Sequence, residues 1–488
     1  MENKIKEPIK LIFLTIIFAY LLSFIPENTE LLGIKLKHVD IIGDLKTKEE
    51  KTDKSDNTDK EYEEYMKEYQ KMLEEEKDSS QSKEGHLLSA GNVNFASMNF
   101  LGTANLIADQ YGKKPRKQIS TKEQKIMGNL RQLKYFFDAL KKSKKNVVRI
   151  AHFGDSGIEG DLMTADFREV MQSKFGGKGV GWVSITKQDA SFRMSTKMTF
   201  SNNWESATLY TSNPKNLPLG ISGEIFVPKG KAWTQFETTR YYPHIRNFKT
   251  ARLFYISPRR TEIEYSFDNK PVRKVKLKRG DSIHELTLTT SRAAKKLRLT
   301  MPDKAGYFFG VSLENGNGIY IDNFPLRGNS GVDINQIPIS QLKDFSKYLD
   351  YELIMLEFGL NAIGMIKRNY TWYVREMVNV IKHLKEAYPH ASFLMIGIHD
   401  KSSRRGGKFM SDPAIFKLLK AQLEIVKKSN IAYWNLFEAM GGKNSMHKWV
   451  LNNPPLASHD HLHFNLNGAK IISKMLIKAL LDADKRIH

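Results

Sequence analysis

The 488-residue chain contains no cysteine. That excludes a disulfide framework, a thiolate zinc or iron–sulfur site and a cysteine nucleophile, leaving any metal chemistry to histidine and carboxylate ligands. Acid is in short supply too: 54 Asp+Glu face 76 Lys+Arg, a net charge of +22. Such an imbalance calls for an anionic partner, which by charge alone could be nucleic acid, a lipid surface or an acidic polysaccharide. With 41% hydrophobic and 11% aromatic residues, two or three folded units can bury real cores.

One continuous apolar run stands out. Lys4, Lys6 and Lys10 precede Leu11 to Ile25, broken only by Thr15 and Ser23 and closed by Pro26 and Glu27. The run is short for a full span but suits a signal sequence, and its basic front predicts a cytoplasmic tip at 1–10 with the remainder exported. The bulky residues that follow offer no small-x-small cleavage site, so residues 11–25 are expected to stay as a membrane anchor. Export removes nucleic acid as a partner. Residues 26–120 read as a charged linker, partly disordered or helical. Within it, residues 46–85 hold nine lysines, fourteen acidic residues and six apolar side chains, too few to offset the entropy of ordering a fold. Their spacing fits a solvated helix over 60–77.

From residue 121 the pattern is that of an α/β domain. A helical stripe precedes a buried strand at 147–153, the turn Gly154-Asp155-Ser156-Gly157 and a helix over 162–175. The texture then changes. Between 193 and 316 short alternating runs at 223–227, 251–256, 261–267, 272–277, 284–289 and 296–300, separated by Asn, Asp, Gly and Pro, predict an all-β sandwich. Strand–helix alternation resumes with strands at 318–322, 353–357, 392–398 and 431–435, and helices at 340–351, 372–387, 414–428 and 468–483. The expected architecture is one α/β domain, a parallel sheet flanked by helices, in two pieces (121–192 and 317–488) around an inserted β-sandwich.

Chemistry-bearing groups gather where strands end, which is where open α/β sheets bind ligands. Ser156 follows the first strand on a glycine-flanked turn. Asp460 and His463, three apart before the last helix, can pair so that the carboxylate fixes the imidazole tautomer, as the general base of a nucleophile requires. A competing reading makes His459, His461 and His463 metal ligands, and a third gives the cluster a helix-capping role. Gly328, with Gly331 as an alternative, and Asn361 supply a backbone N–H and a side-chain amide suited to an oxyanion.

In this order the four blocks resemble the SGNH (GDSL) hydrolases. Ser156 matches the nucleophile and first oxyanion donor, Gly328 the block-two glycine, Asn361 the block-three asparagine, and Asp460 with His463 the last block's pair. The third block departs from the pattern, with Ala362 where an aspartate is usual. No Gly-x-Ser-x-Gly elbow occurs, which argues against the larger α/β-hydrolase fold. The layout further resembles bacterial peptidoglycan O-acetylesterases. That resemblance implies a flavodoxin-like SGNH sheet, no cofactor or metal, an acylated cell-wall polysaccharide as partner, and a catalytic part outside the cytoplasmic membrane. A polysaccharide O-acetyltransferase with the same triad and a non-catalytic glycan-binding protein are the alternatives. In the insert, Trp233, Tyr241 and Tyr242 could stack on sugars, although packing explains them as well.

Overall fold

The computed structural model describes residues 30–31, 34–35, 55–81, 121–187, 191–211, 213–363 and 370–487. The chain divides into two compact units, residues 1–56 and 57–488. Of the first, the described strands are Glu30–Leu31 and Ile34–Lys35, paired antiparallel. The anchor expected at 11–25 lies outside the described residues.

The second unit is built on a parallel sheet. Its strands are β1 (Val147–Gly154), β2 (Gly318–Pro325), β3 (Tyr351–Glu357), β4 (Ser392–Ile396) and β5 (Ala432–Trp434), in the spatial order β2-β1-β3-β4-β5. Met127–Gly128 adds a short antiparallel edge beside β5. This is the doubly wound order of flavodoxin-like sheets. Side chains alternate between two apolar layers. Ala151, Phe153, Ile354, Leu356, Phe393 and Met395 face one layer, while Val148, Ile150, Leu353, Met355, Leu394 and Ile396 face the other. Helices α1 (Ser55–Gln81), α4 (Ile339–Ser346), α5 (Thr371–Ala387) and α6 (Pro413–Ser429) contribute to the first layer. The second is covered by α2 (Lys134–Leu140), α3 (Thr164–Phe175) and α7 (Leu466–Ile487).

The insert is a two-sheet sandwich. One sheet runs in the order Gly280–Ala294, Phe248–Ser257, Tyr307–Glu314, Glu224–Pro228 and Trp204–Thr208. The other runs Arg273–Leu277, Thr261–Phe267, Lys296–Met301, Ala232–Thr238 and Thr196–Phe200. Their core holds Phe226, Phe236, Leu253, Ile263, Leu299 and Val311.

Two sequence expectations need correction. Strand Gly181–Ser184 pairs with Tyr307–Glu314 and so belongs to the sandwich, which therefore begins before 193. Trp182 explains why: its indole stacks on Phe254 at 5.4 Å and meets Phe324 of β2 at 5.7 Å, filling the seam between sandwich and α/β layer. The linker helix is not solvated. α1 lies on α6 and the turn after β5, with Tyr65 fully buried. Tyr62 packs on Phe416 at 5.2 Å, and the Tyr65 hydroxyl accepts from Asn435 Nδ2 at 2.7 Å. Its acids meet α6 lysines, Glu61 with Lys417 at 3.2 Å and Glu64 with Lys420 at 2.8 Å. A helix with one sparse apolar stripe needs no core of its own when a neighbour supplies the facing surface.

Candidate active site

β1 delivers its terminal Gly154 into a turn whose first helical residue is Ser156. Asp155 caps that turn, its Oδ1 accepting from the Gly157 N–H at 2.8 Å. An opening residue has no acceptor for its own N–H within the turn, so the Ser156 amide is not used by the turn itself. The loop before α7 places His463 opposite. Ser156 Oγ and His463 Nε2 are 3.1 Å apart, and His463 Nδ1 is 2.7 Å from Asp460 Oδ2. The second oxygen of Asp460 accepts from the Leu462 and His463 amides at 2.9 and 3.0 Å. Partial burial raises the Asp460 pKa, but the bonds from the His463 ring and the two amides outweigh it and hold the carboxyl below its ordinary value. With the proton of His463 on Nδ1, facing the carboxylate, Nε2 can accept from the serine hydroxyl.

Ser156, His463, Gly328 and Asn361 line one cleft of about 890 Å³. Gly328 sits at φ +73°, a left-handed conformation that glycine adopts without strain, and a Cβ there would meet nothing within 4 Å. Gly331 is placed differently. Its N–H donates to Asn329 Oδ1 at 2.7 Å, and a Cβ on it would lie 2.8 Å from the Phe358 ring. Of the two glycines, it is Gly328 that lines the cleft.

Asn361 follows β3 on a short helical turn. Its Nδ2 donates to Asp155 Oδ2 and to the Asn329 carbonyl, each at 3.1 Å. Those two acceptors orient the amide, while Ala362, where an aspartate was expected, is buried in the apolar layer. Asp155 was not singled out from the sequence, although its place beside Ser156 was the available signal. Burial pushes its pKa up, and although the Gly157 N–H pulls it back, nearby Glu357 adds to the rise and the value reaches about 7. Beneath the turn a buried chain joins His152 Nε2 to Glu357 at 3.1 Å and His152 Nδ1 to Thr164 Oγ1 at 2.9 Å. His399 also lines the cleft, and burial holds its pKa below the ordinary histidine value.

Two of the three histidines of the competing metal reading diverge. His463 faces Ser156, whereas His461 stacks on Phe409 with ring centroids 3.7 Å apart and lies 3.0 Å from His447 Nδ1 through its Nε2. Their alternation would align them on a strand, but His461 takes φ +54° and breaks that geometry. In the insert, Trp233 lies beneath the Arg298 guanidinium at 3.8 Å, and the Tyr242 hydroxyl donates to Asp166 at 2.7 Å, so both are engaged in packing. Tyr241 remains exposed.

No protein-family model matches the sequence, and no curated protein matches it. Solved structures do. A peptidoglycan O-acetylesterase aligns over 73% of this chain and 98% of its own with a TM-score of 0.59 at 18% identity. Family-two carbohydrate esterases also match, one from Cellvibrio japonicus (9% identity, 60% of this chain, 99% of that one, TM-score 0.25). Another is from Clostridium thermocellum in complex with cellohexaose (10%, 59%, 99%, TM-score 0.25). At those scores the last two add nothing to the fold assignment. Strand order and the overlay at 0.59 agree, and the chain shares the SGNH-like fold of that esterase.

Proposed function

We propose that this protein is an exported serine esterase that removes O-acetyl groups from a cell-envelope polysaccharide such as peptidoglycan. The observation that carries the reading is the continuous Ser156–His463–Asp460 relay, 3.1 and 2.7 Å, opening on the cleft that Gly328 and Asn361 share. The likeness to a peptidoglycan O-acetylesterase supports the choice of substrate. In this proposal residues 11–25 anchor the chain to the cytoplasmic membrane and the enzyme works in the periplasm or envelope, where a net charge of +22 suits an anionic wall.

The relay performs acyl transfer in two halves. His463 Nε2 takes the Ser156 hydroxyl proton as Oγ bonds to the acetyl carbonyl carbon. The resulting oxyanion is met by the Ser156 and Gly328 N–H groups, with Asn361 joining once it releases one of its present acceptors. His463 then returns the proton to the departing sugar oxygen, leaving acetyl-serine. In the second half His463 deprotonates water, which attacks the acetyl carbon; acetate leaves and Oγ recovers its proton. The His463 side chain is 39% exposed, so water can reach the acyl-enzyme.

The test is acetate release from O-acetylated peptidoglycan by the purified protein. Activity that persists in both Ser156→Ala and His463→Ala overturns the assignment. An acetylated glycan product in the presence of donor and acceptor sugars identifies a transferase instead.

A further inference from the structure

Besides the relay, the described residues of the cleft present one exposed aromatic ring and one cation without a counter-charge. Phe192 lines the cleft with 52% of its surface exposed, unusual for a large apolar side chain. It is nevertheless firmly seated. Its ring lies against Gly160, where a Cβ would come within 2.7 Å of Phe192 Cδ2, and the Met194 N–H two residues on donates to the Gly160 carbonyl at 3.1 Å. Gly160 belongs to the turn that starts at Ser156, so the exposed ring is fixed to the nucleophile's own support.

Lys401 occupies the other flank. It follows β4, and the next amide, Ser402 N–H, donates at 3.0 Å to the His461 carbonyl in the loop that carries His463. Its side chain lines the cleft half-buried, and among the described residues no carboxylate pairs with it. The other charges in the cleft are already matched: Arg327 Nε holds Glu159 at 2.8 and 3.0 Å, Asp460 holds His463, and Asp155 is turned to Gly157 and Asn361. A half-buried ammonium facing a substrate site is stabilised by an anion.

Resting on the esterase reading above, we propose that the cleft selects a carboxylated glycan, with Phe192 as the face on which a pyranose ring stacks and Lys401 as the cation that takes a carboxylate beside the acetylated sugar. A flat ring offers apolar area to the sugar's C–H face without competing for its hydroxyls. A single ammonium confers charge selection without demanding the two-pronged geometry an arginine would impose. Neither residue touches the reacting atoms; both set which polymer is presented to Ser156.

Binding and cleavage separate the two ideas. In the full-length Ser156→Ala protein, calorimetric titration uses soluble O-acetylated peptidoglycan fragments with carboxylates free or converted to neutral amides. The free form should bind about tenfold tighter, and that preference should vanish in a Ser156→Ala, Lys401→Met variant and survive with Lys401→Arg. Phe192→Ala should weaken both forms several-fold while leaving the preference intact. Equal binding of the two forms, or a preference that survives Lys401→Met, overturns carboxylate selection even if acetate release is confirmed. Conversely, a Lys401-dependent preference without acetate release by the unmodified protein upholds the carboxylate site and rejects the esterase.

Discussion

Replacing Asp460 by asparagine should damage the enzyme more than replacing it by alanine. Asp460 Oδ1 accepts two backbone amides and Oδ2 faces His463 Nδ1. An asparagine keeps its carbonyl on the two amides and so turns its NH2 toward the ring. Nδ1 then becomes the acceptor, and Nε2, now protonated, can no longer take the Ser156 proton. Restoring the productive tautomer means flipping the amide and losing both backbone bonds. At roughly 1 kcal/mol each plus the clash of facing donors, the cost is about 2–3 kcal/mol, or about a hundredfold in population. Loss of the negative charge beside the imidazolium adds about tenfold, modest because both side chains are 39–47% exposed. Asp460→Asn should therefore lower kcat/KM about 10³-fold, whereas Asp460→Ala, which leaves the tautomer free, should lower it only about tenfold. Hydrolysis of a chromogenic acetate ester at pH 7 measures both. An asparagine variant as active as the alanine variant refutes the pinned-carboxylate argument.

Asn361→Ala should reduce kcat about 10²–10³-fold with KM little changed, because in the proposed mechanism the amide serves the transition state; an unchanged kcat removes Asn361 from the oxyanion site. Tyr65→Ala should destabilise the protein by about 3–5 kcal/mol in urea unfolding, since a fully buried ring and its bond from Asn435 are lost; an unmoved midpoint would mean that α1 does not dock. Burial raises the Asp400 pKa to about 7, although bonds from the Met446 N–H and the Ser411 hydroxyl oppose it. A carboxyl raised on folding stabilises at acidic pH and loses that contribution as pH climbs through about 7, so Asp400→Asn should gain Tm over the unmodified protein at pH 8.5 relative to pH 5. A larger gain at pH 5 reverses the sign and rejects the assignment. Arg149→Met should cost about 3–5 kcal/mol in the same unfolding measurement by leaving Asp322 buried without its cation and Glu314 with Arg252 alone; a neutral result rejects Arg149 as the support of that buried charge.

What could be read in advance followed from local chemistry. The strands at 147–153 and 353–357 were legible as continuous apolar runs, and the relay as residue types at turn positions, because a carboxylate three residues before a histidine is a local pairing. Legibility failed where a partner is distant. Six apolar residues on α1 are indeed too few for a core, but Phe416 and Phe437 supply the opposing surface more than 350 residues later. Gly181–Ser184 looked like the tail of the first α/β segment because a four-residue strand has no period to speak of; its allegiance is set by Tyr307–Glu314. Asn361 could be proposed as a donor, but not that Asp155, 206 positions away, aims it.

The insertion point explains how a whole sandwich can interrupt the chain without disturbing the site. The insert leaves the α/β domain after α3 and returns on β2, which lies beside β1 in unbroken parallel register from Gly318 opposite Val147 to Pro325 opposite Gly154. Beyond those last partners the Leu326 N–H donates to the Gly154 carbonyl at 2.8 Å, so the loops carrying Ser156 and Gly328 emerge side by side. That register is held from the sandwich side as well. Arg149 of β1 reaches Asp322 of β2 at 3.0 Å and Glu314 of the sandwich at 2.6 Å, while Asp322 also receives the Trp182 N–H at 2.8 Å. Slipping β2 by one residue would turn Asp322 to the other face of the sheet and strand Arg149 in the seam. The buried charges that join insert to sheet thus fix the strand pairing that brings Ser156 and Gly328 to one edge.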